Sequence, residues 1–169
     1  MRAHEPYPAL LVDSHWNVVS ANDGAVRLFG ADAVGSNVVR RFVLGTTART
    51  SIVNRPDVAG ATLDRLRHES DRAPFDGELA ALLAEAELAV TGIPGLSGAR
   101  PAAAAVCPWF RIDDAVVRTI AMVARFDLVS EVTLDELRVE LFSPQDAAAE
   151  RYFRDGAGAR VGGDDARAD

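Results

Sequence analysis

The sequence predicts an α+β domain in which a five-stranded antiparallel sheet carries helices across one face. Three observations lead there. Two short, β-branched-rich runs, Leu10–Val12 and Val18–Ala21, flank a turn signal. Two longer segments with helical apolar spacing and strong start signals fill the middle of the chain. Apolar or alternating runs then return near Phe110, Ile120 and Leu141.

In chain order, Asp13 and Ser14 can close the first turn with their own side-chain oxygens. Asn22 offers an N-cap to Asp23–Phe29, whose apolar part is Val26, Leu28 and Phe29, and Gly30 ends that helix. In Asn37–Val43, residues Val39, Phe42 and Val43 share one helical face. A strong start follows at Asn54-Arg55-Pro56-Asp57. Asn54 is placed to cap, Pro56 lacks an amide that would be orphaned there, and Asp57 suits the positive end of the helix dipole. That helix runs to about Arg72 with Ala59, Thr62, Leu63 and Leu66 on its apolar face. Gly60 weakens it by about 1 kcal/mol relative to alanine. Asp76 caps a second helix in which Leu79, Leu82, Leu83, Ala86 and Val90 repeat over an acidic opposite face. Gly92, Pro94, Gly95 and Gly98 break it, so Thr91–Pro101 is expected to be a loop and a mobile lip.

The remainder reads as a three-stranded meander. Ala103–Ile112 turns at Asp113-Asp114 into Ala115–Phe126, and Asp135–Phe142 forms the last strand. In that strand Leu137, Val139 and Leu141 alternate with Arg138 and Glu140, which predicts an apolar buried face and a charged wet one. In the middle strand Ile120, Met122 and Phe126 are assigned to one face and Val117, Ala121 and Val123 to the other. A strand apolar on both sides needs a second cover, from the terminal segment or a partner subunit. Ser143-Pro144-Gln145-Asp146 leads into a short helix to Arg154. Residues 1–155 are therefore read as one domain and 156–169, rich in glycine, alanine and charge, as a disordered tail.

Composition narrows the function. The chain has 169 residues, a formal charge of -7 and 49% hydrophobic residues, enough for one domain with a sizeable core. An acidic chain is poorly suited to grip a phosphate backbone, so no direct nucleic-acid contact is expected. No lysine occurs and alanine is abundant, a coding bias rather than chemistry. The single cysteine, Cys107, excludes an internal disulfide, and Met1-Arg2-Ala3-His4-Glu5 has no apolar signal core. A cytoplasmic location is expected. No apolar run approaches the roughly 20 residues that span a bilayer, so no membrane role is expected.

The order strand, turn, strand, short helix is the usual opening of a PAS-type sensor domain. The residues also resemble one family. His4-Glu5-Pro6-Tyr7-Pro8-Ala9-Leu10-Leu11-Val12-Asp13, then His15-Trp16-Asn17-Val18-Val19 and Ala21-Asn22, are similar to the opening of the MmyB-like transcription-regulator ligand-binding domain. Val132-Thr133-Leu134-Asp135-Glu136-Leu137-Arg138-Val139-Glu140-Leu141-Phe142-Ser143-Pro144-Gln145-Asp146 resembles its close, and Asn37-Val38-Val39-Arg40 lies between them. The resemblance spans roughly Pro6 to Arg154 and is weakest over Thr46–Ala102. It implies a PAS-like fold holding a fatty acid or similar lipid, normally fused behind a helix-turn-helix domain of bacterial XRE-type regulators. No such domain precedes Pro6 here, so an excised or stand-alone sensor is expected.

A lipid pocket needs an apolar cavity with a few polar groups for the head group. Phe29, Val39, Phe42, Leu63, Leu66, Phe110, Ile120, Met122 and Phe126 are the candidate lining residues. The same apolar stripes equally describe a filled core, because periodicity does not separate the two. Arginine binds a carboxylate through two parallel hydrogen bonds, and Arg40 and Arg111 are the candidates. Trp16, Trp109 and Asn22 read as structural. No nucleophile and base stand at a recognisable spacing, Cys107 reads as an inert thiol, and no catalytic role is expected. His4, His15 and His68 are scattered, with His68 a remote candidate haem ligand. The reading is a ligand-binding sensor domain with no cofactor beyond a bound fatty acid. The alternative is a module without ligand that forms a homodimer through the sheet face.

Overall fold

The computed structural model describes residues 1–96, 107–125 and 137–158. Strands β1 (Ala9–Val12), β2 (Val18–Ala21), β3 (Trp109–Ile112), β4 (Ala115–Arg125) and β5 (Arg138–Pro144) form one five-stranded antiparallel sheet in the order β2-β1-β5-β4-β3. Helices α1 (Asp23–Phe29), α2 (Thr46–Ser51), α3 (Arg55–Arg72) and α4 (Gly77–Val90) are inserted between β2 and β3, and α5 (Ala147–Gly158) follows β5. This is the α+β, PAS-like arrangement that the sequence predicts. Helix α5 continues into the segment expected to be tail; residues 159–169 lie outside the described residues, as do the expected strand starts at Ala103 and Asp135.

Local chemistry fixes the opening. Asp13 Oδ1 accepts the amides of His15 at 3.0 Å and Asn17 at 2.8 Å, closing the β1–β2 turn. Asn22 Oδ1 accepts the Ala25 amide at 2.9 Å and the Ala9 amide at 2.8 Å, while its Nδ2 donates to the Tyr7 carbonyl at 2.9 Å. One side chain thus caps α1 and pins the segment entering β1. Gly24 lies where α1 meets that segment. A Cβ there would be 2.6 Å from the Pro6 carbonyl oxygen, so only glycine fits. Asn37 Oδ1 accepts the amides of Val39 at 3.1 Å and Arg40 at 3.2 Å and starts the next helical turn, which widens to a π-helix at Arg40–Leu44.

Helices α3 and α4 match their predicted ranges, but their starts differ. Asp76 caps α4 by accepting the amides of Glu78 at 3.1 Å and Leu79 at 3.0 Å. Asn54 makes no side-chain cap on α3. Its Oδ1 accepts the Trp109 amide at 2.9 Å and its Nδ2 donates to the Cys107 carbonyl at 2.9 Å, so it tethers β3 to the helix start. A strand backbone in reach lets the asparagine amide satisfy both a donor and an acceptor, where a cap uses only its oxygen.

The core sits between sheet and helices. Phe29 is its centre, with the rings of Phe42, Phe110 and Phe142 edge-on at centroid distances of 5.5, 5.6 and 5.3 Å. Val39, Val43, Leu63, Leu66, Leu79 and Leu82 are buried around it, each contributing about 2 kcal/mol by removal from water.

The facing of β5 reverses the expectation. Arg138, Glu140 and Phe142 are the buried set, whereas Val139 and Leu141 are half-buried on the outer side. Alternation is real but the charged face points inward, because α3 presents Arg65 and Glu69 to it. Among the described residues strand β4 is likewise covered on one side only. Val117 packs with Ala149 and Phe153 of α5 and Ala121 packs on the main core, while Ile120 and Met122 are exposed. Helix α5 therefore lies beside α1 on the helical side and does not supply the expected second cover.

Candidate ligand-binding site

A cavity of about 750 Å³ separates α3 from the sheet. The helix wall is Val58, Ala61, Thr62, Arg65, His68 and Glu69, residues that recur at helical spacing. The sheet wall is Ala121, Met122, Val123 and Arg125 of β4 with Glu140 and Phe142 of β5, and Trp16, Val38, Phe42 and Pro108 complete it. Small residues on both walls, Ala61 and Ala121 among them, leave the space that larger side chains would fill.

The cavity is apolar at the Phe42 and Phe142 side and charged where Trp16 lies. Arg65 reaches Glu69 at 3.3 Å and Glu140 at 3.1 Å; Arg138 reaches Glu140 at 3.3 Å and Glu69 at 3.7 Å; Arg125 reaches Glu69 at 2.8 Å. Arg138 also donates to the Asp13 carbonyl at 3.2 Å. The guanidinium carbons of Arg65 and Arg138 lie 4.4 and 4.3 Å from the centroid of the Trp16 ring. Burial, then the neighbouring Arg65 charge, lowers the pKa of Arg138 against the opposing pull of Glu69 and Glu140. A guanidinium nevertheless stays charged in a protein. Trp16 itself has a left-handed φ of 69°, rare for a bulky side chain, and is held by this packing.

A smaller hollow of about 160 Å³ lies beyond the same ion network. It is lined by Ser14, Arg72, Asp76 and Leu79 and shares Glu69 and Arg125 with the main cavity. Beside it His15 Nε2 stands 2.9 Å from Asp76 Oδ2. The pKa of Asp76 is lowered, first by the hydrogen bond from the Leu79 amide and also by His15, against a desolvation that raises it.

The residues expected to line a pocket are dispersed. Phe42 borders the cavity, and Met122 touches its edge from a strand position opposite Leu141, on the outer side of the sheet. Phe29, Val39, Leu63, Leu66 and Phe110 are packed in the core, with Phe29, Phe42 and Phe110 around a minor gap of about 80 Å³. Ile120 is exposed on the outer sheet face and Phe126 lies outside the described residues. Arg40 pairs with Glu85 of α4 at 3.0 Å on the surface, and Arg111 is exposed on β3. The charged residues that do line the cavity, Arg65, Glu69, Arg125 and Glu140, are not among the site residues expected from the sequence, which placed Glu140 on a wet face. A signal for Arg65 was present: it falls on the stripe Val58–Thr62–Arg65, an ionic residue in helical register with buried ones. His68 lines the cavity too, but no group of three metal-ligating side chains occurs among the described residues.

Among the described residues no helix is long and apolar enough to cross a membrane. No curated protein and no solved structure matches the chain. The family model of the MmyB-like transcription regulator ligand binding domain matches residues 1–155, nearly all of the chain, and the protein belongs to that family of regulator ligand-binding domains.

Proposed function

We propose that this domain is a non-catalytic sensor that holds a fatty acid or similar lipid between α3 and the sheet. The observation that carries the reading is the cavity of about 750 Å³, a size typical of small-molecule sites, which run from about 300 to 1,000 Å³. Its mixed character suits an amphiphile: alkyl surface against Phe42, Val58, Ala121 and Phe142, polar atoms toward Arg65 and Glu140. Occupancy favours whichever conformation binds the ligand better, and only that differential affinity can drive a response. The output is read by a helix-turn-helix DNA-binding domain of the XRE type, attached or associated, in a bacterial cytoplasm.

Native mass spectrometry on protein purified without detergent tests this directly. Near-stoichiometric release of a fatty acid on denaturation is the expected result. Protein that arrives empty and takes up no added fatty acid would overturn it.

One observation favours a second reading, an interaction module that pairs through the sheet. Val116, Ile120 and Met122 of β4 are exposed on the face that also carries Val139 and Leu141. Light scattering across a hundredfold range of concentration decides: a mass that doubles supports pairing, and a constant monomer mass excludes it.

A further inference from the structure

We infer that Phe42 sets the length of the ligand: its ring is the partition between the cavity and a second apolar space, and an alkyl chain stops where it meets that ring. The inference rests on the lipid-sensor reading and adds to it a residue that determines specificity.

Two spaces meet at this side chain. The cavity of about 750 Å³ lies on one side of it, between α3 and the sheet. The gap of about 80 Å³ lies on the other, walled by Leu28, Phe29, Ala48, Ile52 and Phe110. Among the described residues Phe42 alone borders both. Its half-buried ring is packed toward the gap, edge-on to Phe29 at 5.5 Å and tilted against Phe110 at 6.2 Å. Phe42 lies at the apolar end of the cavity, away from the charged cluster around Trp16, so a chain whose polar end rests near that cluster presents its far end to this ring.

The partition is held in place by its backbone. Phe42 sits in the π-helical turn Arg40–Leu44, closed by the Gly45 amide donating to the Arg40 carbonyl at 2.6 Å, a geometry frequent at functional sites. Arg41, just before it, donates to the Phe29 carbonyl, and the carbonyl of Val43, just after it, accepts from Arg55 at 3.0 Å. With both neighbours tied, the ring is a fixed stop rather than a swinging one. A methylene short of the ring gains the full burial of its apolar surface. One that would pass it must first displace packed aromatic contacts. The limit on chain length is therefore set by one removable ring with apolar space behind it.

The test measures binding of the saturated acids from octanoic to octadecanoic to delipidated protein, by displacement of Nile red and, independently of the dye, by native mass spectrometry. On the wild-type chain each added methylene should tighten binding about fourfold up to a limiting length and not beyond it. Phe42→Ala should move that limit to longer chains. The acid two carbons past the wild-type limit should then bind the variant about tenfold more tightly than the wild type, while acids below the limit differ by less than about threefold. Ala48→Leu added to that variant narrows the gap from its far wall and should move the limit back. Should Phe42→Ala fail to fold, Phe42→Leu shows the same direction, since its side chain is shorter than the ring. A wild-type affinity that climbs at the same rate through the longest acid, a limit unmoved by substitution at Phe42, or a loss uniform across all lengths overturns the inference and leaves the lipid reading intact. Protein that takes up no acid of any length by either measurement overturns the lipid reading and the inference with it.

Discussion

Arg138 and Glu140, two residues apart on β5, both point beneath the helices, their side chains 3.3 Å apart and their exposure only 4% and 7%. The pair turns the expected wet side of a strand into its buried side. Truncating Arg138 strips the buried Glu140 of one of its two cations, leaving it to Arg65 alone. Arg138→Met should therefore destabilise the domain by about 3 kcal/mol, read as a lower urea midpoint. Converting Arg138 and Glu140 together to Met and Leu should restore much of that loss, and a double variant no better than the single one would show that the pair is held for something besides charge balance.

Gly24 makes a sharper steric prediction. With the Pro6 carbonyl oxygen 2.6 Å from where a Cβ would stand, Gly24→Ala must push α1 off the segment that leads into β1. A cost of about 1–3 kcal/mol is expected for overpacking of this kind, although alanine is the better helix former. A thermal midpoint that rises on this substitution would contradict the described approach.

Asn54 separates two roles by one substitution. As a helix cap, aspartate would serve as well as asparagine. As the tether between α3 and β3 it must donate to the Cys107 carbonyl, which a carboxylate cannot do and electrostatically opposes. Asn54→Asp should lose as much stability as Asn54→Ala, about 1–2 kcal/mol, in chemical denaturation at neutral pH.

Asp76 links stability to acidity. Its folded pKa is depressed, chiefly by the Leu79 amide and further by His15, so its contribution is present above the unfolded value near 4 and is lost as pH falls through the folded one. Asp76→Ala should cost about 1 kcal/mol at pH 7 through the lost cap. The gap between the variant and the wild type should shrink as the pH is lowered from 4 toward 2, and a gap independent of pH would exclude the carboxylate as its source.

Much of the fold was legible because short-range chemistry writes it: Asn22, Gly30 and Asp76 mark helix ends whatever the rest of the chain does. The strand periods were legible for the same reason, since alternation is a local property. Which side of β5 faces inward was not, because that is decided by Arg65 and Glu69 on a helix some seventy residues earlier. The family resemblance brought the lipid reading, while the residues proposed for it were chosen by hydrophobicity. That choice found the core around Phe29 and only the border of the cavity, where empty space follows from small residues such as Ala61 and Ala121 that no hydrophobic ranking selects.

The central ladder has a consequence for biosynthesis. Strand β1 lies between β2 and β5, with Ala9 opposite Leu141, so the first strand of this sheet is paired on one side by its last. Until Arg138–Pro144 has been made, β1 and β4 each expose an open edge, the state most prone to pair with a neighbouring chain. The domain is therefore a late folder, completed in one closing step whose loop entropy spans nearly its whole length. A chain stopped short of β5 would carry its helices and two bare ladder edges, with the sheet wall of the cavity incomplete.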